Sequence, residues 1–495
     1  MLSGGDTLPG LLREAQRRFP ERPAILQSGV ATTYRELWRQ VLRAANGLRA
    51  LGVQPGDRVA LLLENSVEYV VAYYAAVEAG CVAVALNTAL RGAELQWRLV
   101  HCGAALLIAP ARAERELRAM PSVRWRVVGP AELMAGDDER DLPSVAAPDA
   151  VAALIYTSGT TADPRAVTLS HRNLVANTRS ILGYLQLTEV DRIVNVLPFY
   201  YSYGNSVLHT HLAVGASIVL ENSLLYPHLV VQQIAKTAAT GFSGVPSTYA
   251  LLLQRVKLAE YDLSALRYLT QAGGAMAPVH VAGLRKAVPQ ARLYVMYGQT
   301  EATARISYLP PERLDDKPGS VGIAIPGVTI EVHDERGRAA PASTTGEVCV
   351  RGDNVMLGYW ENPVATARVL ANGWLHTGDL GWLDADGYLT LVGRSSDMIK
   401  TGAHRVSPLE VEATVLLLGE VAECAVIGMP DEILGEVIVA HVVLREGAAL
   451  DARRVQAHCR ERLAAYMIPK TVHFAESLPK TASGKVQRYL LKGTR

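Results

Sequence analysis

The chain is poor in the features that mark a disulfide-built, zinc-built or membrane-spanning protein. Its five cysteines, Cys81, Cys102, Cys349, Cys424 and Cys459, are odd in number and scattered. No two of them form a Cys-x-x-Cys pair. This spacing indicates neither a disulfide framework nor a zinc site, and it fits a reduced, cytoplasmic setting. An excess of one charge is missing too: 49 Lys and Arg face 48 Asp and Glu, for a net charge of +1. A binder of nucleic-acid backbone carries a basic excess, so no nucleic-acid partner is expected. The most apolar stretch, Val70 to Leu86, is interrupted by Glu78. It is shorter than the roughly 18 to 20 residues a spanning helix needs, so no transmembrane segment is expected. The start, Met-Leu-Ser-Gly-Gly-Asp, lacks the basic-then-apolar order of a secretory leader. Internal repeats, low-complexity tracts and a Gly-x-Ser-x-Gly elbow are absent.

What is present fits a packed soluble protein. Hydrophobic residues make up 49% and charged residues 20% of 495 positions, ordinary values for a globular chain. At about 150 residues per domain, the length suggests about three domains.

Near the start, helix and strand signals alternate. Thr33 and Glu36 read as a capping box, followed by Leu37, Val41, Ala45 and Leu48 at helical spacing and a stop at Gly52. Val59–Leu63 reads as a buried strand, Asn65 with Glu68 as the next helix start, and Val82–Leu86 as another strand. A helix over 91–102 and a strand over Ala104–Ala109 repeat the theme, which predicts a mostly parallel α/β sheet. The charged stretch 136–149 reads as a surface connection to a second α/β segment at 150 to about 318. Short strands and Asp/Gly turns then predict a small β unit at about 319–393, with hairpin turns at Asp334–Gly337 and Asp384–Gly387. Gly393-Arg-Ser-Ser396 reads as a joint, and 397–495 as a compact α+β domain.

The strongest local signal is Tyr156-Thr-Ser-Gly-Thr-Thr-Ala-Asp-Pro-Arg-Ala-Val167, directly after the apolar run Val151–Ile155. Ser158, Thr160 and Thr161 offer hydroxyls, Gly159 permits close backbone approach, and Arg165 brings positive charge. This set suits a triphosphate. It is not a Walker A loop, because no Gly-Lys-Ser/Thr follows. Further along come Tyr297-Gly-Gln-Thr-Glu301, Thr377-Gly-Asp379, Gly393-Arg394, Ile399-Lys400, Pro408-Leu-Glu410 and Pro479-Lys-Thr-Ala-Ser-Gly-Lys485. In this order, the motifs resemble the AMP-forming adenylating enzymes: acyl-CoA synthetases, luciferases and peptide-synthetase adenylation domains. The resemblance spans nearly the whole chain. It implies a large N-terminal body (1–393) of two doubly wound α/β subdomains plus a small β-barrel, a hinge at 394–396, and a mobile C-terminal cap (397–495).

The reaction implied by the resemblance joins two anions, a carboxylate and the α-phosphate of ATP, so the site must neutralise charge and hold an in-line geometry. Thr157, Ser158, Gly159, Thr160, Thr161 and Arg165 would hold the phosphates, and Glu301 with Thr300 and Thr160 would serve Mg2+. Gly273, Gly274 and Ala275, with Gly298, would border the adenine, and Tyr297 would stack on it. Asp379 would accept from the ribose hydroxyls and Arg394 would donate to ribose or phosphate. Lys485 would bridge carboxylate and α-phosphate in adenylation, and Lys400 would serve the thioester-forming half-reaction after the cap rotates. The implied co-substrates are ATP and a pantetheine thiol, either coenzyme A or the phosphopantetheine of an acyl or peptidyl carrier protein. A monomer or homodimer is expected.

Leu197-Pro-Phe-Tyr-Tyr-Ser-Tyr-Gly204 resembles the start of the family's acyl pocket, with Tyr201, Ser202 and Asn205 as candidate substrate contacts. Gly244 and Ser247 resemble a second wall. No Asp or Glu lies between Arg192 and Glu221, which argues against an α-amino acid substrate. The sequence leaves fatty, aryl and small polar acids open. It departs from the family pattern at Ala162, Arg165, Ala166, Ser396 and Ala403, which keeps a nucleotide-binding pseudoenzyme as an alternative. His209-Thr-His211 has no Cys or carboxylate spaced to complete a metal set, and it reads as packing.

Overall fold

In the computed structural model, the described residues are 6–118, 125–142, 147–157, 164–402, 404–481, 484 and 486–492. Among them the strands form three sheets. In the first, Arg58–Leu61 runs parallel with Val82–Ala85 on one side and Ala104–Ile108 on the other. Val151–Thr157 and Arg165–Ser170 extend this sheet as an antiparallel pair. The second contains a parallel run through Pro23–Gln27, Ser217–Leu220, Arg192–Asn195, Gly241–Gly244, Tyr268–Gln271 and Arg292–Tyr297. The third belongs to the C-terminal part and is led by the long hairpin Val421–Asp431 with Gly435–Leu444.

The expected division into successive segments at residue 150 does not hold. Val151–Ser170 completes the first sheet, while Pro23–Thr33 from the N-terminus pairs into the second. The two sheets are stitched by exchange of chain ends, a long-range pairing that no local pattern reports. The strands expected to form a small β-barrel are present as Ser320–Ala324, Val328–His333, Gly346–Gly352, Trp374–Leu383 and Leu389–Arg394. Their recorded pairing is a linear order continuous with the second sheet through Ser307–Leu309 and Ser320–Ala324.

Local signals explain several elements. Thr33 caps helix Tyr34–Ala50, and the reciprocal bonds with Glu36 are both present. Helix Val67–Glu78 starts one residue later than expected. Ser66 is its cap, and the Asn65 side chain instead bridges the Leu197 carbonyl and the Phe199 amide. This helix is apolar on nearly all sides and buried almost throughout, as a helix without a polar face requires. Glu78 ends it inside the core, where Arg13 Nη2 meets its carboxylate at 2.6 Å. Burial still raises the Glu78 pKa, with Arg13 opposing. The stretch expected as a surface connection is tied down by Glu139, which receives both Arg39 and Arg43.

His209 and His211 lie on helix Ser202–Val214, buried and hydrogen-bonded to Tyr74 and Tyr268. Burial pushes their pKa values down to about 3 and about 4, so both are neutral packing residues. All five cysteines are free and buried. No described helix is long and apolar enough to cross a membrane.

Candidate active site

A cavity of about 690 Å³ opens where the large body meets the C-terminal part. It is built largely from strand ends and the loops that leave them, the place where parallel α/β sheets present ligand sites. Thr157 ends the strand before the candidate phosphate loop, Arg165 begins the strand after it, and both line the cavity. Ser158, Gly159, Thr160, Thr161 and Ala162 lie outside the described residues. The Arg165 guanidinium sits 5.2 Å from the centroid of the Tyr359 ring. Tyr359 in turn donates its hydroxyl to Glu301 Oε1 at 2.8 Å. The neighbouring Thr300 hydroxyl is 3.2 Å from Ser202 Oγ, which couples the candidate phosphate end to the candidate acyl wall.

Gly298 has a steric reason. A Cβ there would lie 2.0 Å from the Ala304 carbonyl oxygen, so only glycine lets the chain fold back beneath Thr300 and Glu301. Gly273 lines the cavity with φ +89°, a left-handed conformation that favours glycine. Gly274 and Ala275 follow outside the lining, and the Gln271 amide donates to the Gly274 carbonyl at 2.7 Å.

Thr377-Gly378-Asp379 forms an irregularity in the sheet. Glu347 pairs with Leu380 and Cys349 with His376, so one strand advances two residues while its partner advances four. The extra length bulges out opposite Val348, and bulges of this kind re-aim side chains next to active sites. Thr377 Oγ1 donates to the Val348 carbonyl at 2.7 Å, and the Gly378 amide donates to Glu347 Oε1 at 3.1 Å. Asp379 is thereby held inside, accepting from Tyr297 at 2.6 Å and from Arg394 Nε at 3.0 Å. Arg394 is held above the usual guanidinium range: desolvation works against this, while Asp379, Glu301 and Tyr297 outweigh it. Burial, then the Asp379 charge, raises the Tyr297 pKa well above the phenol range.

The C-terminal part closes the cavity. Lys480, Thr481 and Gly484 line it, and Lys480 pairs with Val486 across a short hairpin. The Gly484 carbonyl accepts from Ser247 Oγ at 3.3 Å. A Cβ on Gly484 would stand 2.5 Å from that oxygen, at φ +79°. Lys485 lies outside the described residues. Lys400 is exposed on strand Ile399–Thr401 and does not line the cavity; its amide donates to Glu436 Oε2 at 2.7 Å.

Of the candidate substrate contacts, Tyr201, Ser202 and Ser247 line the cavity. Asn205 and Gly244 do not. Asn205 lies on helix Ser202–Val214, buried and interacting with Tyr73 in the core. Gly244 is the buried last residue of its strand. The residues not singled out from sequence are Tyr359, Glu347, Tyr203 and Lys480. Each is an ordinary residue in its local pattern and gains a role only through a partner distant in the chain.

This arrangement defines a nucleotide-binding, carboxylate-activating class of site. The chain belongs to the AMP-binding enzyme family: the family model matches residues 12–360, and the model of the AMP-binding enzyme C-terminal domain matches residues 410–485. It is 35% identical to an oxalate–CoA ligase of Arabidopsis thaliana, over 98% of each chain. It is 37% identical to a feruloyl-CoA synthase of Amycolatopsis sp., over 95% of each chain. The o-succinylbenzoate coenzyme A synthetase from Bacillus subtilis, solved in complex with ATP and magnesium ion, superposes with a TM-score of 0.88 at 31% identity. That match covers 97% of this chain and 99% of the other.

Proposed function

We propose that this protein is an AMP-forming ligase that joins a carboxylic acid to the thiol of coenzyme A. The observation that carries this reading is the single cavity uniting four groups. Arg165 and Glu301 stand at the phosphate end, Arg394 with the buried Asp379 behind it at the edge, the Tyr201–Ser202 wall opposite, and the Gly484 hairpin over it.

In the first half-reaction, a carboxylate oxygen attacks the α-phosphorus of ATP. The bond from that phosphorus to the oxygen bridging the β-phosphate breaks, and pyrophosphate leaves. In the second, the thiol sulfur attacks the acyl carbon, AMP leaves, and the thiol proton passes to solvent or base. Asp379, held by Tyr297, accepts from the ribose hydroxyls. Arg394 is shared between that carboxylate and the nucleotide. Lys485 bridges substrate carboxylate and α-phosphate, an assignment that rests on the family motif. The oxygen-only set of Thr300 and Glu301 fits Mg2+, which neutralises phosphate charge when bound. Lys400 lies away from the cavity in this arrangement, which is therefore read as the adenylating state. Rotation at 394–396 would exchange the lysines.

The acid wall of Tyr201, Ser202, Tyr203, Gly204 and Val245 carries no carboxylate to pair an ammonium, which supports an acid without an α-amino group. Acid-dependent exchange of pyrophosphate into ATP across a panel of aryl, aliphatic and dicarboxylic acids tests the first half. Thioester formation with free coenzyme A, compared with a phosphopantetheinylated carrier protein, tests the acceptor. No exchange with any acid would overturn the reading; exchange with transfer only to the carrier would overturn the acceptor.

A further inference from the structure

Cys349, whose spacing in the sequence indicated no metal site, has two metal-ligand neighbours in space. It is the direct register partner of His376 on the adjacent antiparallel strand, and Glu347 lies two residues before it on the same strand face. Cys349 Sγ is 3.5 Å from His376 Nδ1, and His376 Nδ1 is 3.0 Å from Glu347 Oε2. All three ligand atoms lie within 4.8 Å of one another. Among the described residues, this is the one group of three such side chains that converges in this way.

The distances are close to the edges of a tetrahedral metal site. Zinc bonds of about 2.3 Å to sulfur and about 2.0 Å to nitrogen and oxygen give tetrahedron edges of about 3.5 Å for S–N and about 3.3 Å for N–O. Both observed contacts converge on the same ring nitrogen, and a cation would engage all three ligand atoms at once. Glu347 and His376 line the cavity, which provides an entry path, and the remaining tetrahedral position is available to water. The ligand set is thiolate, imidazole and carboxylate, which selects a thiophilic divalent ion and disfavours Mg2+.

We propose that Glu347, Cys349 and His376 form a binding site for a thiophilic divalent cation of the Zn2+ class, and that its occupancy restrains adenylation. On binding, the Cys349 thiol proton is released to solvent and the thiolate bonds the ion. The coupling runs through Glu347. Its Oε2 faces the ion while its Oε1 accepts the Gly378 amide of the bulge that carries Asp379. A cation on Oε2 withdraws charge from Oε1 and loosens that bond. By linkage, nucleotide binding and metal binding then oppose each other.

Cobalt(II) is the probe, because thiolate coordination produces a charge-transfer absorption that oxygen and nitrogen ligands do not. The full-length wild-type protein should bind one equivalent of Co2+ with that absorption, and Zn2+ should displace it. Cys349→Val keeps the strand apolar; it should lose the absorption and bind Zn2+ at least about tenfold more weakly, while its far-UV circular dichroism and metal-free pyrophosphate exchange with Mg–ATP stay unchanged. His376→Gln should weaken binding and keep the sulfur band. A wild-type protein with no thiolate band, or a Cys349→Val protein with undiminished Zn2+ affinity, would overturn the site. Equal inhibition of wild type and Cys349→Val by Zn2+ would overturn the coupling. The spectroscopic arm needs no turnover, so its failure is separate from any failure of the proposed ligase activity.

Discussion

The Tyr297 hydroxyl donates to Asp379 Oδ2 at 2.6 Å, although the two residues are 82 positions apart. With Arg394 on the other oxygen, this bond sets the orientation of Asp379, the carboxylate proposed to receive the ribose. Tyr297 ends its strand and leads through Gly298 into the turn that carries Thr300 and Glu301, so one chain segment supplies that pair and steadies Asp379. Removing the hydroxyl should act on nucleotide affinity before chemistry. Tyr297→Phe is expected to raise the KM for ATP about tenfold, the worth of one buried bond to a charged group, with a smaller change in kcat. Steady-state kinetics with ATP varied at saturating acid checks this; a change confined to kcat would contradict it.

Gly484 is pinned against the body by its approach to Ser247 and by its positive φ. Gly484→Ala should therefore lower the pyrophosphate-exchange rate at least tenfold, because the added Cβ pushes the hairpin away from the cavity. Thermal stability should change little, since the hairpin is at the edge of the domain. Pairing it with Ser247→Ala should restore only part of the rate, because the strain at φ +79° remains.

The two lysines should separate the half-reactions. Lys485→Ala is expected to abolish acyl-AMP formation while still hydrolysing nothing and transferring supplied acyl-AMP to the thiol. Lys400→Ala is expected to leave exchange intact and to slow thioester formation. Single-turnover assays of each half-reaction measure this, and equal losses in both halves for both variants would remove the proposed division.

Stability should fall on mild acidification. His209 and His211 are neutral in the folded chain, with pKa values lowered by burial to about 3 and about 4. In the unfolded chain, both protonate near pH 6.5. The folded values are lower, so unfolding takes up protons below that pH, and stability is present above about 6.5 and lost as pH falls toward 4. Each residue adds a slope of about 1.4 kcal/mol per pH unit in that window. The urea midpoint should drop between pH 7 and pH 5, and His209→Gln should flatten the slope while lowering the midpoint at pH 7.

Local signals proved readable where one short segment supplies both partners. Thr33 and Glu36 cap each other within one helical turn, and the Asp384–Gly387 hairpin turns as its residues demand, with Lys317 bridging Asp384 and Asp386. Asn65 misleads because it is a good capping residue standing next to Ser66; its amide is engaged instead by a loop 132 residues away. The Thr-Gly-Asp motif is visible as letters. The bulge that aims Asp379 is not, because it arises from a mismatch in length between two paired strands.

By itself, the sequence determined the alternating α/β pattern, the family motifs and their order, and the absence of local cysteine pairs. These depend on side-chain period, capping and residues adjacent in the chain. The tertiary structure decided which sheet each strand joined, which candidates reached the cavity, and that Tyr359 and Tyr297 would hold Glu301 and Asp379. It also placed a thiol, an imidazole and a carboxylate together. The physical reason is that strand pairing brings together side chains from distant segments, and no local period encodes which segments will be neighbours.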